Sequence, residues 1–405
     1  MKPIETSELL KSGKLMPLEE KLQVSKVHKK LIIGIPKEIN PFENRVALVP
    51  DAINMLVHQG HEVVVEAGAG KAAYFSDTDY AEMGAKIAYD KTQVFKADII
   101  LKIAPLILDE IEMLAGNQTI ISFIHASTIC EEYFRKLIAK KVRAVALEYI
   151  EDQPDSFPVV RSMSEIEGNT SLLVAAEYLS SREYGKGKML GGFSGISPTE
   201  IVVIGAGIAA EYAVKSALGM GAYVKVFDNS VYKLRKLQNN LHTHISTSII
   251  QPRILLKALK TADIVISAYH CRTGRTPVYV TDDMVQQMKQ GAVVVDLTID
   301  KGGTFETSTE TNLKNPVYVK HGVTHYCVPN ITSKVAHTAS YALSNVLSPI
   351  LAAIGEKGGI ENILVEDEGL QQGVYLYNGT STNRFFSEKY NLPYKEISLL
   401  MAAFR

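Results

Sequence analysis

The sequence predicts an α/β fold built from two doubly wound domains with a cleft between them. Three observations carry this. Short Val- and Ile-rich runs alternate with helical patterns from residue 31 onward, which implies mainly parallel sheets covered on both faces. The alternation breaks off and restarts across a glycine-rich stretch, residues 181–198. At roughly 150 residues per domain, a chain of 405 residues has room for two or three.

The elements follow in order. Residues 1–30 form an N-terminal extension, rich in lysine and without arginine. It has neither the apolar stretch nor the cleavage site of a secretory signal, and it lacks the arginines of a mitochondrial presequence. Pro17 suits the first turn of a short amphipathic helix, but a solvated extension is the simpler reading. The runs LIIGI (31–35), EVVVEA (62–67), ADIILKI (97–103), TIISFIH (119–125) and RAVALEYI (143–150) read as buried strands. Helices lie between them, as in PDAINMLVHQG, where Pro50 and Asp51 mark a start and Gly60 a stop. A helical pattern from Ser164 to Leu179 bridges to the second series. Its strands are EIVVIGAG (200–207), AYVKVFDN (222–229), ADIVISA (262–268) and AVVVDLTI (292–299). SKVAHTASYALSNVLSPILAAIG reads as a further long helix. The expected domains are therefore 31–160, the first part of a substrate-binding, catalytic domain, and 161–330, a nucleotide-binding domain. Residues 331–405 form a helix and tail that return to the first domain.

Composition narrows the function. Basic and acidic residues nearly cancel, 43 against 44, so there is no global charge to hold nucleic acid or an anionic membrane. No uninterrupted apolar run reaches the length of a spanning helix. Cys130, Cys271 and Cys327 are too few and too scattered for a disulfide framework or a CxxC metal site. The expectation is a cytoplasmic enzyme acting on small molecules.

The most specific local signal is IVVIGAGIAAEYAVKSALGMGAYVKVFD. Gly205 permits the tight turn after the strand, and Gly207 lets backbone approach a pyrophosphate. Ala210 takes the third fingerprint position, where helix and strand pack closely. The following helix points its free N–H groups at the phosphates. Asp228 ends the next strand, 23 residues after Gly205. A carboxylate there accepts hydrogen bonds from both ribose hydroxyls and repels a 2′-phosphate, which favours NAD over NADP. Lys233 and Arg235, just beyond, moderate that preference. The second domain is therefore read as a Rossmann NAD-binding domain.

In open α/β sheets, ligands sit beyond the carboxyl ends of the strands. Arg45 follows the first strand, Lys102 ends ADIILKI and His125 ends TIISFIH. Two cations and an imidazole at one edge suit a small anionic substrate. Arg45 can grip a carboxylate bidentately, Lys102 supplies a point charge, and His125 moves a proton near neutral pH. Each residue also has a plainer reading, as a surface charge or a hydrogen-bonded structural histidine. Glu148 either orients one of the basic groups or forms a structural ion pair. In VVVDLTIDKGG, Asp296 reads as a buried structural acid, while Asp300 can reach the nicotinamide ribose or an amine. Asn330 precedes the last long helix and is a candidate cap for it.

Taken together, these motifs resemble the alanine dehydrogenase family, within the group that includes the NAD-binding subunit of proton-translocating transhydrogenase. The match runs over about residues 31–400 and keeps family order. Its motifs are GIPKEINPFENRVALVPDAI, AGAGKAAYFSDTDYAEMGAKI, ADIILKIAP, ISFIHA, RSMSEIEGNTS, MLGGFSGISPTEIVVIGAGIAA, VVVDLTIDKGGTFETS and HYCVPNITSKVAHTASYALSN. The resemblance implies reversible NAD-dependent oxidative deamination of L-alanine to pyruvate and ammonia, by a homohexamer. It implies that Arg45 and Lys102 hold the substrate carboxylate and carbonyl oxygen, and that His125 is the acid/base. Asp300 would lie beside the nicotinamide and the amine, and Met163 near the nicotinamide. Ser164, Asp228 and Asn330 would be cofactor contacts. No metal is implied.

The chain departs from the family pattern at Tyr269–Arg275, where a small, glycine-rich stretch is usual, at Lys301, and at Ala336 and His337. The alternative readings are an opine- or saccharopine-type amino-acid dehydrogenase, a transhydrogenase-like subunit, and a non-catalytic NAD-binding regulator. Retention of Arg45, Lys102 and His125 speaks against the last two.

Overall fold

The computed structural model describes residues 28–124, 129–269 and 274–402. The first series contributes β1 (Ile32–Ile35), β2 (Glu62–Glu66), β3 (Lys86–Ala88), β4 (Ile99–Leu101), β5 (Thr119–Ser122) and β6 (Arg143–Ala146). The second contributes β7 (Glu200–Ile204), β8 (Tyr223–Phe227), β9 (Ser246–Ser248), β10 (Ile264–Ser267), β11 (Val293–Asp296), β12 (Val317–Lys320) and β13 (Val323–Tyr326). Near the chain end, β14 (Val374–Tyr377) and β15 (Thr380–Ser381) pair onto the first sheet.

The sheet orders are β15-β14-β6-β5-β4-β1-β2-β3 and β12-β13-β11-β10-β7-β8-β9. In each, the chain winds outward in one direction, returns to the middle and winds the other way. The switch points fall between β1 and β4 and between β7 and β10. β1 through β6 pair in parallel, as do β7 through β11 and β13. The antiparallel pairs sit toward the edges, where β14 meets β6 and β15 and where β12 meets β13.

The nine expected strands are present, each trimmed at its ends. The sequence reading passes over β3, β9, β12, β13, β14 and β15. They are two to four residues long, and several carry Ser, Thr or Lys where a strand pattern wants Val or Ile. β13 is fully buried although it reads Val-Thr-His-Tyr. Its His325 is accommodated by contacts to Thr307 Oγ1 and the Val323 carbonyl. RAVALEYI is a strand only as far as Ala146; Leu147–Tyr149 is a 3-10 turn.

Two long helices tie the sheets together. The linker helix runs Pro158–Ser180, starting earlier than its pattern suggests, with Pro158 in its first turn. At Gly168 it touches the helix Ile208–Gly219, where a Cβ would stand 2.2 Å from the Ala209 carbonyl oxygen. The second helix, Ala336–Glu356, is preceded by a 3-10 turn, Ile331–Val335. It is apolar enough to span a bilayer by length and hydropathy, but it lies in the core, with Leu343, Leu347 and Leu351 buried beside Ile53 and Val65.

Candidate active site

The loop after β1 has no regular structure, so its backbone donors need partners from elsewhere. The Ala336–Glu356 helix and the turn before it supply them. Ser333 Oγ accepts the Asn44 N–H at 2.8 Å, Ser340 Oγ that of Val46 at 2.9 Å and Ser344 Oγ that of Val49 at 2.8 Å. Ser340 and Ser344 lie one turn apart on one helix face. Arg45 is thereby pinned at the switch point of the first sheet, its side chain 4% exposed.

All three nitrogens of the Arg45 guanidinium have partners. Its Nε and Nη2 reach the two carboxylate oxygens of Glu43 at 2.8 and 2.7 Å. Its Nη1 lies 3.0 Å from Thr332 Oγ1 and 3.4 Å from the Met163 sulfur. Burial disfavours the charge, but Glu43 outweighs it and raises the Arg45 pKa. Asn330 Nδ2 donates to the same Glu43 at 2.8 Å, and Asn330 Oδ1 accepts from Thr332 Oγ1. The Asn330 backbone is left-handed and its side chain makes no cap bond. The capping reading therefore gives way to a link between the Asn330 turn and the Arg45 loop.

Lys102 sits just past β4, across the same switch point. It is 2% exposed. Its Nζ lies 2.8 Å from Glu110 Oε2 and 3.7 Å from Glu38 Oε2. Glu110 takes Lys91 on its other oxygen at 2.9 Å. Glu38 Oε1 accepts the N–H groups of Ile103 and Ala104 at 2.7 and 3.3 Å. Burial, reinforced by Glu43 and opposed by Lys102 and those two amides, pushes the Glu38 carboxyl up to about 7.

His125 lies outside the described residues, as do His270 to Thr273 of the unusual loop and the extension up to residue 27. What precedes His125 is described. Both oxygens of Glu148 accept the Ile124 N–H, at 3.0 and 3.2 Å, and fix the end of that segment.

On the second sheet, Asp296 is the structural acid it was read as. It accepts the N–H and hydroxyl of Thr298, the N–H of Thr304 and the hydroxyl of Ser308. Asp300 sits on the 3-10 turn Ile299–Lys301 that follows β11. It is exposed, yet the surrounding protein excludes enough water to raise its pKa against the pull of Lys301. Across from it, on the linker helix, stands Glu167, one turn beyond Met163. Burial and the Asp300 charge push Glu167 up to about 7, with Arg45 and Lys301 opposing. Ser164, also on this helix, is half-buried.

The fingerprint loop follows β7 at the switch point of the second sheet. Gly205 has φ 110°, and a Cβ there would stand 2.4 Å from the Ala268 carbonyl oxygen. Gly207 caps the helix Ile208–Gly219, and a Cβ there would meet nothing within 4 Å. That open space suits a ligand resting on the helix N-terminus, so the loop fits a dinucleotide. Ala210 is fully buried against the sheet. Asp228 accepts the Ala206 N–H at 2.8 Å and the Ser230 N–H at 2.7 Å, which ties the acid at the end of β8 to the glycine loop.

Sequence reasoning missed Glu38, Glu43, Glu110, Glu167 and Thr332. Glu43 stood two residues from Arg45 and could have been suspected as its partner. Nothing local announces Glu110, Glu167 or Thr332, because tertiary contacts create their roles.

A Rossmann sheet carrying a glycine fingerprint, joined by a linker helix to a second doubly wound sheet with buried cations at its switch point, defines a two-lobed, dinucleotide-binding oxidoreductase. Family models narrow this. The alanine dehydrogenase/PNT N-terminal domain matches residues 34–167, and the alanine dehydrogenase/PNT C-terminal domain matches 171–384. The chain belongs to the alanine dehydrogenase/PNT family and is an enzyme of it. It is 36% identical over 368 residues to alanine dehydrogenase of Staphylococcus saprophyticus, covering 91% of this chain and 99% of that one. It is 35% identical over 366 residues to alanine dehydrogenase of Methanococcus maripaludis, covering 90% and 98%. Among solved structures, an L-alanine dehydrogenase superposes with TM-score 0.83 at 30% identity, covering 89% of this chain and 99% of that one. A transhydrogenase from Sinorhizobium meliloti gives 0.74 at 25% identity, covering 88% and 100%.

Proposed function

We propose that the protein catalyses reversible NAD-dependent oxidative deamination of L-alanine to pyruvate and ammonia. The observation that carries this is the convergence at the first switch point. Arg45 follows β1 and Lys102 follows β4, neighbouring strands across that switch point, and Arg45 is linked through Glu43 to Asn330 and directly to Met163 on the linker helix.

In this reading Arg45 turns Nη1 from Thr332 and Met163 to the substrate carboxylate while Glu43 keeps Nε and Nη2. Lys102 meets the carbonyl oxygen of the keto acid. Asp300 faces the amine. His125, next to the segment held by Glu148, takes a proton as water adds to the iminium carbon and returns one as the carbinolamine C–N bond breaks and ammonia leaves. NAD, when bound, accepts the hydride from the substrate Cα. Ser164, Gly205, Gly207, Ala210, Asp228 and Asn330 hold it, and the Asp228 carboxylate favours NAD over NADP. Positioning and charge placement supply most of the acceleration.

Residues 31–160 and 331–405 then form the catalytic domain and 161–330 the cofactor domain, behind the extension 1–30. We infer a cytoplasmic enzyme from its three scattered cysteines, and a homohexamer from the family resemblance.

An amino-acid screen with NAD and NADP, followed at the NADH absorbance band, tests the assignment. L-Alanine with NAD is expected to give the highest turnover, and His125→Ala to abolish it while NADH still binds. Preference for a paired amino acid and keto acid would favour the opine- or saccharopine-type reading. Full activity in His125→Ala would remove the acid/base role.

A further inference from the structure

Glu38 uses its two oxygens differently. Oε1 is saturated by the amides of Ile103 and Ala104, the two residues after Lys102. Oε2 is enclosed, has no hydrogen bond, and lies 3.7 Å from the Lys102 ammonium. The side chain is only 8% exposed. A buried oxygen left without a donor is costly, so its persistence needs a reason. Lys102 directs one donor to Glu110 at 2.8 Å and another toward the Pro105 carbonyl at 3.5 Å. An ammonium has three donors, and the third is available to Glu38 or to a ligand.

We propose that Glu38 is a positioning residue for Lys102. It clamps the turn that carries the lysine, and its own protonation sets how much of the lysine charge is left for a substrate anion. This rests on the reading that Lys102 meets the substrate oxygen.

The charged groups facing this pair are Glu43 and, more distantly, Arg45 on the loop after β1, and Glu110 with its second partner Lys91 across β4. Arg45 is matched by Glu43. Glu110 divides one negative charge between two lysines, which leaves Lys102 partly uncompensated while Glu38 is neutral. Glu38 holds its proton up to about pH 7. Below that pH, the Lys102 charge is open to a carboxylate or carbonyl oxygen. Above it, Lys102 faces two acids, and an anionic ligand is opposed by the ionised Glu38.

The test is pyruvate binding to the full-length protein–NADH complex without ammonium, read by NADH fluorescence between pH 6 and pH 8.5. The wild-type dissociation constant should rise roughly tenfold across this range, the size expected for one neighbouring charge. Glu38→Gln keeps an acceptor for both amides but cannot ionise, so its constant should stay low and flat. Glu38→Ala loses the clamp and should bind pyruvate weakly at every pH. NADH affinity should be unchanged in both variants. Parallel pH profiles for wild type and Glu38→Gln overturn the proposal, as does equal binding by Glu38→Ala. Lys102→Met separates this from the parent reading: undiminished pyruvate binding there removes Lys102 from the substrate site, and this proposal with it.

Discussion

Glu43 holds the guanidinium of Arg45 with both carboxylate oxygens, at 2.8 and 2.7 Å, and both side chains are 4% exposed. The pair is desolvated, hydrogen-bonded and shared with Asn330 across the two parts of the crevice. In such a pair each charge is tolerable only because of the other.

Glu43→Ala should therefore destabilise the protein by about 3–5 kcal/mol, because it leaves Arg45 buried without its counter-charge. Glu43→Gln should lose less, since it keeps one acceptor for the fork. Urea denaturation of the three proteins measures both. Equal midpoints and slopes would mean that the pair contributes nothing to folding. The same variants should weaken pyruvate binding, since Arg45 would no longer be held in one orientation.

The two fingerprint glycines should respond in opposite ways. Gly205 has φ 110° and backbone within 2.4 Å of any added Cβ, so Gly205→Ala is expected to lower the melting temperature. Gly207 has an ordinary φ of −85° and open space around it, so Gly207→Val should melt like wild type yet lose most NADH affinity. Intact NADH binding in Gly207→Val would mean that this space is not where the dinucleotide rests.

Glu167 gives a pH prediction. Its carboxyl is raised from an ordinary 4.5 to about 7 in the folded protein, through burial and Asp300. Between those values the native state binds more protons than the unfolded chain, so stability falls as pH rises. The contribution from this group is complete below about 4.5, is lost through 7, and is flat above. Glu167→Gln should be more stable than wild type at pH 8, with the gap closing toward pH 5. Denaturation curves at several pH values measure it, and a constant difference between the proteins would remove Glu167 as the source.

Much of the frame was legible in the chain itself. β1, β2, β4 to β8, β10 and β11 announce themselves because strands buried on both faces must be apolar throughout. The fingerprint from Gly205 to Asp228 is equally visible, since a tight turn against a phosphate site demands particular residues at particular spacings. Arg45, Lys102 and Asp300 could be suspected from their places at strand ends. The short edge strands could not be read, because their pairing satisfies the backbone whatever the side chains are. Asn330 reads locally as a helix cap, yet its side chain reaches a residue 287 positions away.

Local pattern and spacing along the chain are enough for the fold class, the family and the cofactor loop. Tertiary contacts alone settle which acid answers each cation, Glu43 for Arg45 and Glu110 with Glu38 for Lys102, and set the acid Glu167 opposite the acid Asp300. The reason is that a buried charge is governed by whatever lies within a few ångströms of it, and in a doubly wound sheet those neighbours come from distant strands meeting at one switch point.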